Sequence, residues 1–197
     1  MQPPLTHLLY LHGFRSSPQS LKARKMAALM AEKYPHIVWC CPQLPPSPQL
    51  AAQQIMALIS SWPQLGMAVM GSSLGGFYAT YFAEQRACKA VLLNPAIKPA
   101  RDLAKYIGEQ SVWQRPDEKF FFEPQFVDQL TALDAGPLTR PEDYLAIIAK
   151  GDEVLDWREM AERYGGAHQL ILECSDHALS DFDAQLPAVL DFLGLAA

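Results

Sequence analysis

The sequence predicts an α/β fold with a mostly parallel sheet of six to seven strands, helices on both faces and a small cap segment. Short apolar runs alternate with stretches of helical periodicity along the whole chain, which is typical of successive β-α units. Residues 8–11 and 91–93 are almost continuously apolar, as strands must be when both faces of a parallel sheet are covered. With 197 residues, 50% of them hydrophobic, the chain can build the core of a single domain.

Strands are expected near residues 7–11, 37–41, 67–71, 89–93, 144–149 and 169–174. Helices are expected near residues 18–33, 49–61, 74–86, 157–164 and 181–193. The first helix is expected to begin at Ser17-Pro18, because serine caps helix N-termini and proline fits the first helical position. Residues 1–197 are predicted to form one domain, in which the long connection 94–142 is a cap of short helices over the functional site.

The pentapeptide Gly71-Ser72-Ser73-Leu74-Gly75 lies between a predicted strand and a predicted helix. Its G-x-S-x-G pattern is typical of a nucleophile elbow, a sharp strand-to-helix turn that presents a serine at the edge of a sheet. Gly71 and Gly75 lack the Cβ atoms that would clash in such a turn. Ser73 is therefore the candidate nucleophile, and the alternative is an ordinary turn rich in glycine and serine.

The first predicted strand ends in His12-Gly13-Phe14. In a hydrolase with a nucleophile elbow, two backbone N–H groups stabilise the oxyanion of the tetrahedral intermediate. One comes from the residue after the nucleophile and the other from a loop after an earlier strand. Leu74 and Phe14 are the predicted donors, and the alternative is that His-Gly only ends a strand.

A serine nucleophile needs a base, and the two histidines that follow it in the sequence are His168 and His177. His177 is favoured because it follows the last predicted strand, at the sheet edge where parallel sheets bind ligands, whereas His168 precedes that strand. Asp152, in the turn after the preceding strand, is the candidate acid that orients the imidazole. Asp156 and Glu153 are rivals, and the alternative is that all three acids lie on the surface and cap the next helix.

These motifs, in this order, resemble the α/β-hydrolase superfamily, and more closely the small bacterial YqiA-like esterases. The resemblance covers nearly the whole chain through the segments 12–18, 71–77, 93–96, 150–156 and the region around His177. It implies a serine esterase that hydrolyses small acyl esters, or acyl thioesters, through a covalent acyl-enzyme. Ser73, Asp152 and His177 would form its catalytic triad. An acyl-CoA thioesterase and a non-catalytic binding protein on the same scaffold are the alternatives.

Arg15, His12 and Trp113 are candidate substrate-binding residues. Arg15 follows the predicted oxyanion donor and would contact an anionic part of the substrate; a solvated surface arginine is the alternative. Trp113 belongs to an aromatic group of the segment 94–142 that either walls an acyl pocket or packs the cap onto the sheet. Its members are Trp113, Phe120, Phe121, Phe122 and Phe126.

The net charge of -5 argues against nucleic acid and against an anionic membrane surface as partners. No segment resembles a signal peptide and no apolar run is long enough to span a bilayer, so a cytoplasmic location is expected. Neither a metal nor a cofactor is implied, because metal-ligand and P-loop motifs are absent. The expected partner is a small-molecule acyl ester or thioester. The four cysteines, without C-x-x-C spacing, are expected to be buried reduced thiols.

Overall fold

The structure is a computed structural model that describes residues 4–195. The strands of this part of the chain are β1 (His7–Leu11), β2 (Val38–Cys40), β3 (Met67–Ser72), β4 (Lys89–Leu93), β5 (Gly108–Val112), β6 (Arg115–Phe122), β7 (Tyr144–Ala149) and β8 (His168–Leu172). Its α-helices are α1 (Leu21–Lys33), α2 (Pro48–Ile59), α3 (Leu74–Arg86), α4 (Pro99–Leu103), α5 (Gln125–Ala132), α6 (Trp157–Arg163) and α7 (Phe182–Leu193). Short 3-10 helices span Gln64–Gly66, Ala104–Tyr106 and Pro141–Asp143.

Six strands form one sheet in the order β2-β1-β3-β4-β7-β8, and every neighbouring pair is parallel. The chain runs outward from β1 to β2 and then returns to the other side of β1 with β3. The strand order therefore reverses between β1 and β3, and such a switch point opens a crevice at the carboxyl ends of the two strands. The loop that begins at His12 and the residue Ser73 both lie at this crevice.

The core has two layers, one on each face of the sheet. Along β1, Leu8 and Tyr10 face one layer while Leu9 and Leu11 face the other, because successive side chains of a strand point to opposite faces. The first layer is closed by α1 and α7, and the second by α2, α3, α5 and α6. All four of these β1 side chains are buried. The prediction of a sheet covered on both faces is confirmed.

The start of the first helix and the direction of the strands differ from the sequence prediction. Helix α1 begins at Leu21 with Ser20 as its N-cap, instead of beginning at Ser17-Pro18. The Ser17 hydroxyl accepts a hydrogen bond from the backbone N–H of Gln19 at 3.1 Å and donates to Gln114 at 3.1 Å. These contacts hold the segment in a turn before the helix. The sheet itself is entirely parallel, where a mostly parallel one was predicted.

The segment 94–142 contains α4, α5 and an antiparallel hairpin of β5 and β6, so the prediction of short helices alone was incomplete. The side chains of Phe120 and Phe122 pack on Phe14, with ring centroids 6.0 Å and 5.3 Å apart. Phe121, on the opposite side of the same strand, is 59% exposed. Alternate side chains of β6 therefore pack on the loop after β1 and hold the hairpin against it.

Cys88 is buried, Cys40 and Cys41 are half-buried, and Cys174 is exposed. The expectation of burial was wrong for Cys174, because β8 ends at Leu172 and the cysteine lies in the loop beyond it. None of the helices between residues 4 and 195 combines the length and apolar character needed to cross a bilayer.

The packing of Gly75 against β1 yields a test of the fold. A Cβ at this position would lie 1.9 Å from the carbonyl oxygen of Leu11, so the backbone of one element must move. We expect Gly75→Ala to lower the free energy of unfolding by about 3 kcal/mol or more in chemical denaturation. Gly166→Ala is the control, because that exposed site has a Pro141 side-chain carbon as its nearest neighbour, at 3.3 Å. Equal stability of the two variants would contradict the packing.

Candidate active site

Ser73 occupies the sharp turn between β3 and α3. Its backbone angles, φ 56° and ψ -121°, are rare for a residue with a side chain. The backbone N–H donates to the carbonyl of Leu93 at 3.0 Å, and the backbone carbonyl accepts from Gly76 at 2.8 Å and from Ala96 at 3.0 Å. The strained residue is therefore held by the first turn of α3 and by the end of β4.

The His177 side chain lies over this turn, with its Nε2 atom 3.1 Å from the Ser73 hydroxyl. His177 belongs to the loop after β8, at the carboxyl edge of the sheet. Its backbone N–H donates to the Glu153 carboxylate at 3.0 Å. The structure thus brings together two side chains that are widely separated in the sequence.

Asp152 lies in the turn after β7 and contacts the other nitrogen of the imidazole, with Oδ2 2.7 Å from Nδ1 of His177. Its Oδ1 atom accepts hydrogen bonds from the backbone N–H groups of Val154 and Leu155, both at 2.8 Å. The side chain has 0% exposed surface. Because Oδ1 is occupied, Oδ2 is directed at the imidazole, and a proton on Nδ1 leaves Nε2 as the acceptor that faces Ser73.

Asn94, at the end of β4, ties these loops together. The carboxamide oxygen accepts from the backbone N–H of Ala149 at 2.7 Å. The carboxamide nitrogen donates to the backbone carbonyls of Asp176 at 2.9 Å and His177 at 3.2 Å. The side chain is fully buried, and the backbone has φ 42°, a region that asparagine tolerates better than most residues. Sequence reasoning assigned Asn94 no role, although it follows a buried strand at the same sheet edge as Ser73.

The loop after β1 lies directly against the elbow. A Cβ on Gly13 would be 3.3 Å from both the Ser72 carbonyl oxygen and the Ser73 Cβ. Phe14 and Leu74, the predicted oxyanion donors, both line a cavity that Ser73 and His177 also border.

His12 has both ring nitrogens occupied by the protein itself. Nδ1 lies 3.0 Å from the carbonyl oxygen of Gly13, and Nε2 accepts from the backbone N–H of Leu44 at 3.0 Å. Burial lowers the pKa of the imidazole, which favours the neutral form. The polar atoms of His12 connect the loop after β1 to the segment before α2, and its substrate contact stays a prediction.

The side chain of Arg15 binds the β5–β6 hairpin. Its Nε and Nη2 groups donate to the backbone and the hydroxyl of Ser111, at 2.9 Å and 3.1 Å, and its guanidinium lies 4.1 Å from the ring centre of Trp113. The backbone N–H of Trp113 donates to the Arg15 carbonyl at 2.7 Å. These donors hold the hairpin, and because the side chain also lines a cavity beside Ser73, the anion contact of Arg15 stays a prediction. Trp113 is 63% exposed and borders the cavities beside Ser73.

Two cavities meet at Ser73 and His177, and Phe14 and Trp113 also line both of them. The first, called the apolar cavity here, has a volume of about 190 Å³. Its apolar lining comes from Leu74, Ala96, Leu103, Tyr106, Val154 and Leu155, and the charged residues Arg15, Asp102 and Lys105 also line it. The second, called the polar cavity, has a volume of about 320 Å³. Its polar lining comes from Ser16, Ser20, Lys22, Ser72, Gln114 and Ser180, and Tyr10, Leu21 and Ala178 also line it.

A comparison with protein-family models shows to which family the chain belongs. The model of the uncharacterised protein family UPF0227 matches residues 7–194. The chain belongs to this family. Solved structures place the UPF0227 chain among the α/β-hydrolases by fold, which confirms the fold predicted from the sequence.

Three of these structures illustrate the likeness. Alpha/beta hydrolase domain-containing protein 10 from mouse has a TM-score of 0.70 and 12% identity, over 95% of this chain and 90% of its own. Est1E from Butyrivibrio proteoclasticus with bound ferulic acid has a TM-score of 0.72 and 12% identity, over 96% and 88%. A structure of the metagenome-derived lipolytic enzymes LipS and LipT has a TM-score of 0.68 and 18% identity, over 97% and 94%.

The rival acids of the UPF0227 chain lie away from the imidazole ring. Asp156 is the N-cap of α6, where its carboxylate accepts from the backbone N–H of Arg158 at 2.9 Å. Glu153 contacts the backbone of His177 and not its ring. His168 opens β8, at the opposite end of the strand from His177. Asp152 is therefore the acid that the fold brings to the ring.

The three bonds of the Asn94 side chain give a second prediction. Asn94→Ala leaves the buried N–H of Ala149 and two backbone carbonyls without their partner, so we expect a loss of about 2–4 kcal/mol in the free energy of unfolding. Gln169→Ala is the matched control. It removes one hydrogen bond of a side-chain amide, to the Ala161 carbonyl at 2.9 Å, and should lower the free energy of unfolding by about 1 kcal/mol. Denaturant titration of both variants measures the difference, and a loss at Asn94 no larger than at Gln169 would refute the role.

Proposed function

We propose that this UPF0227 protein is a serine hydrolase that cleaves small carboxylic esters through a covalent acyl-enzyme. The observation that carries the proposal is the unbroken chain of contacts from the Ser73 hydroxyl through His177 to Asp152, at 3.1 Å and 2.7 Å. Contacts of this length on both sides of an imidazole support a nucleophile, a base and an orienting acid. The backbone of Ser73, strained in the manner of a nucleophile elbow, supports the same assignment.

In the proposed acylation step, Nε2 of His177 takes the hydroxyl proton as Oγ of Ser73 bonds to the ester carbonyl carbon. The backbone N–H groups of Phe14 and Leu74 stabilise the oxyanion that results. Asp152 stabilises the imidazolium. The carbon–oxygen bond to the alcohol then breaks, and His177 returns the proton to the departing oxygen.

Deacylation repeats these steps with water. His177 takes a proton from the water as it attacks the acyl carbonyl, and the proton goes to Oγ of Ser73 when the acid is released. The apolar cavity, with a volume of about 190 Å³, suits a small hydrocarbon acyl group. The segment 94–142 acts as a cap in this proposal, because its Leu103, Tyr106 and Trp113 form walls of that cavity.

Proteins of similar fold support an ester hydrolase over a non-catalytic binding protein. The lipolytic enzymes LipS and LipT share the fold, and Est1E has been solved with ferulic acid, a carboxylic acid. Thioesters react through the same nucleophile and base, so acyl thioesters are included as substrates in the proposal. A non-catalytic binding protein would not require a strained serine in hydrogen-bond reach of an oriented imidazole.

Replacement of the nucleophile is the direct test. We expect Ser73→Ala to lose at least about a thousandfold in kcat/KM on short-chain acyl esters, because the hydroxyl that forms the proposed acyl-enzyme is removed. The variant should keep the circular dichroism and melting temperature of the parent protein. A fluorophosphonate probe, which reacts with activated serines, should label the parent protein and not Ser73→Ala.

Ser72→Ala is the matched control for this experiment, since it removes the neighbouring hydroxyl of the same motif and leaves Ser73 in place. It should still be labelled by the probe. Labelling of Ser73→Ala, or undiminished ester cleavage by it, would refute the assignment of the nucleophile.

The assignment of the acid has its own test. Asp152→Asn should lower kcat by about a thousandfold or more, because the amide does not stabilise the imidazolium and allows the wrong tautomer. Asp156→Asn should stay near the parent rate, since asparagine also caps helix N-termini and the residue lies away from the ring. Steady-state kinetics of both variants on one ester decides the matter. Equal losses in the two variants would contradict the role of Asp152.

A further inference from the structure

Lys22 presents a cation beside the proposed nucleophile. Its side chain extends from the first turn of α1 into the polar cavity, which Ser73 and His177 border. Within residues 4–195, the ammonium group donates to the backbone carbonyl of Ala178, and no carboxylate lies within 4.0 Å of it. An ammonium group has three N–H donors, so two remain for a ligand in the cavity.

Two carboxylates act on the charge of Lys22, but neither lies within 4.0 Å of its ammonium group. Burial lowers the pKa of the ammonium to about 8, while the charges of Asp176 and Asp152 act in the opposite direction. Asp176 is engaged by Ser180, which donates to it from its backbone N–H at 2.9 Å and from its hydroxyl at 2.6 Å. Asp152 is engaged by His177. A half-buried cation without an ion-pair partner favours the binding of an anion beside it.

The surroundings of Lys22 provide further polar groups. The hydroxyl of Ser20 makes no capping bond to α1, and Ser16 and Gln114 line the same space. Hydroxyl and amide donors next to an ammonium group suit the several acceptor oxygens of a carboxylate or a phosphate. The polar cavity, with a volume of about 320 Å³, is larger than the apolar one and can hold such a group.

The two cavities meet at Ser73, where the acyl part and the alcohol part of a bound ester would diverge. A carbonyl carbon bonded to Ser73 carries the acyl chain on one side and the leaving oxygen on the other. A hydrocarbon acyl chain suits the apolar cavity, which directs the alcohol part toward Lys22. We propose that the polar cavity binds an oxyanion, carboxylate or phosphate, carried by the alcohol part of the ester, with Lys22 as its counter-ion. This assignment rests on the proposed ester hydrolysis.

The cations of the apolar cavity are placed differently. The guanidinium of Arg15 is bound to Ser111 and stacked on Trp113. The ammonium of Lys105 lies 5.3 Å from the ring centre of Tyr106, and Asp102, which lines the same cavity, pairs with Arg101 at 2.7 Å. Of the lysines and arginines that line these two cavities, Lys22 is the one at the polar cavity.

The test compares esters of four-carbon acids that differ in charge and in the position of the charge. The neutral reference is 3-hydroxypropyl butanoate. The anionic substrates are 3-(butanoyloxy)propanoate and 3-(butanoyloxy)propyl phosphate, with the charge on the alcohol part. Monopropyl succinate carries its carboxylate on the acyl part. The readout is the kcat/KM of each ester divided by that of the neutral ester, which cancels general changes in activity.

In the parent protein, we expect the better of the two alcohol-side anions to be preferred over the neutral ester by about tenfold or more, since hydrogen bonds to charged groups are strong. The larger ratio identifies the carboxylate or the phosphate as the bound group. Lys22→Met and Lys22→Gln should bring the ratio close to unity, and Lys22→Arg should preserve most of it. Lys25→Met is the matched control, because Lys25 lies on the same helix, pairs with Asp183 at 2.5 Å and does not line the polar cavity.

Three results would overturn the proposal while leaving ester hydrolysis intact. These are a ratio near unity in the parent protein, an equal fall in Lys22→Met and Lys25→Met, and a dependence on Lys22 only for monopropyl succinate. Failure of the parent protein to hydrolyse any of the four esters, together with no fluorophosphonate labelling of Ser73, would instead overturn the proposed function and with it this assignment.

Discussion

The close backbone contact between the first turn of α3 and the end of β1 is the constraint on which the site depends. A Cβ on Gly75 would lie 1.9 Å from the Leu11 carbonyl oxygen, and one on Gly71 would lie 2.0 Å from the Gly75 carbonyl oxygen. Because no side chain separates these backbones, the loop after β1 lies directly beside the elbow. Gly13 then contacts Ser73, and Phe14 reaches the same cavity as the serine. The nucleophile and the proposed oxyanion donors are adjacent for this reason.

A second constraint acts on the loops that carry His177 and Asp152. Strands fix where these loops begin, but a backbone loop has many conformations unless its polar groups are bonded. Asn94 supplies such bonds from the centre of the sheet, since its carboxamide contacts the ends of both β7 and the His177 loop. The backbone N–H groups of Val154 and Leu155 orient Asp152 within its own turn. The imidazole is therefore positioned by Asp152 at Nδ1 and by the hydrogen bonds from Asn94 to the loop that carries His177.

The sequence predicted the six strands of the sheet because each is a short apolar run, and their common carboxyl edge explains why Ser73, Asp152 and His177 could be selected. The hairpin was missed because most of β6, from Arg115 to Lys119, is exposed and charged and lacks the alternation of a half-buried strand. The contacts that His12 and Arg15 make within the protein were also not predicted. Their partners are distant in the sequence, at Leu44 and Ser111, and local patterns carry no information about such contacts.

The hairpin and the loop after β1 form one hydrogen-bonded unit, which connects the walls of the cavities to the reaction centre. Arg15 binds Ser111, Ser17 binds Gln114, and Arg115 donates to Gln43, whose amide in turn contacts His12. The loop held by these bonds carries Phe14, and Phe14 and Trp113 line both the apolar cavity and the polar one. The contacts that shape the binding space therefore also set the position of a proposed oxyanion donor, so a displacement of the hairpin changes both together.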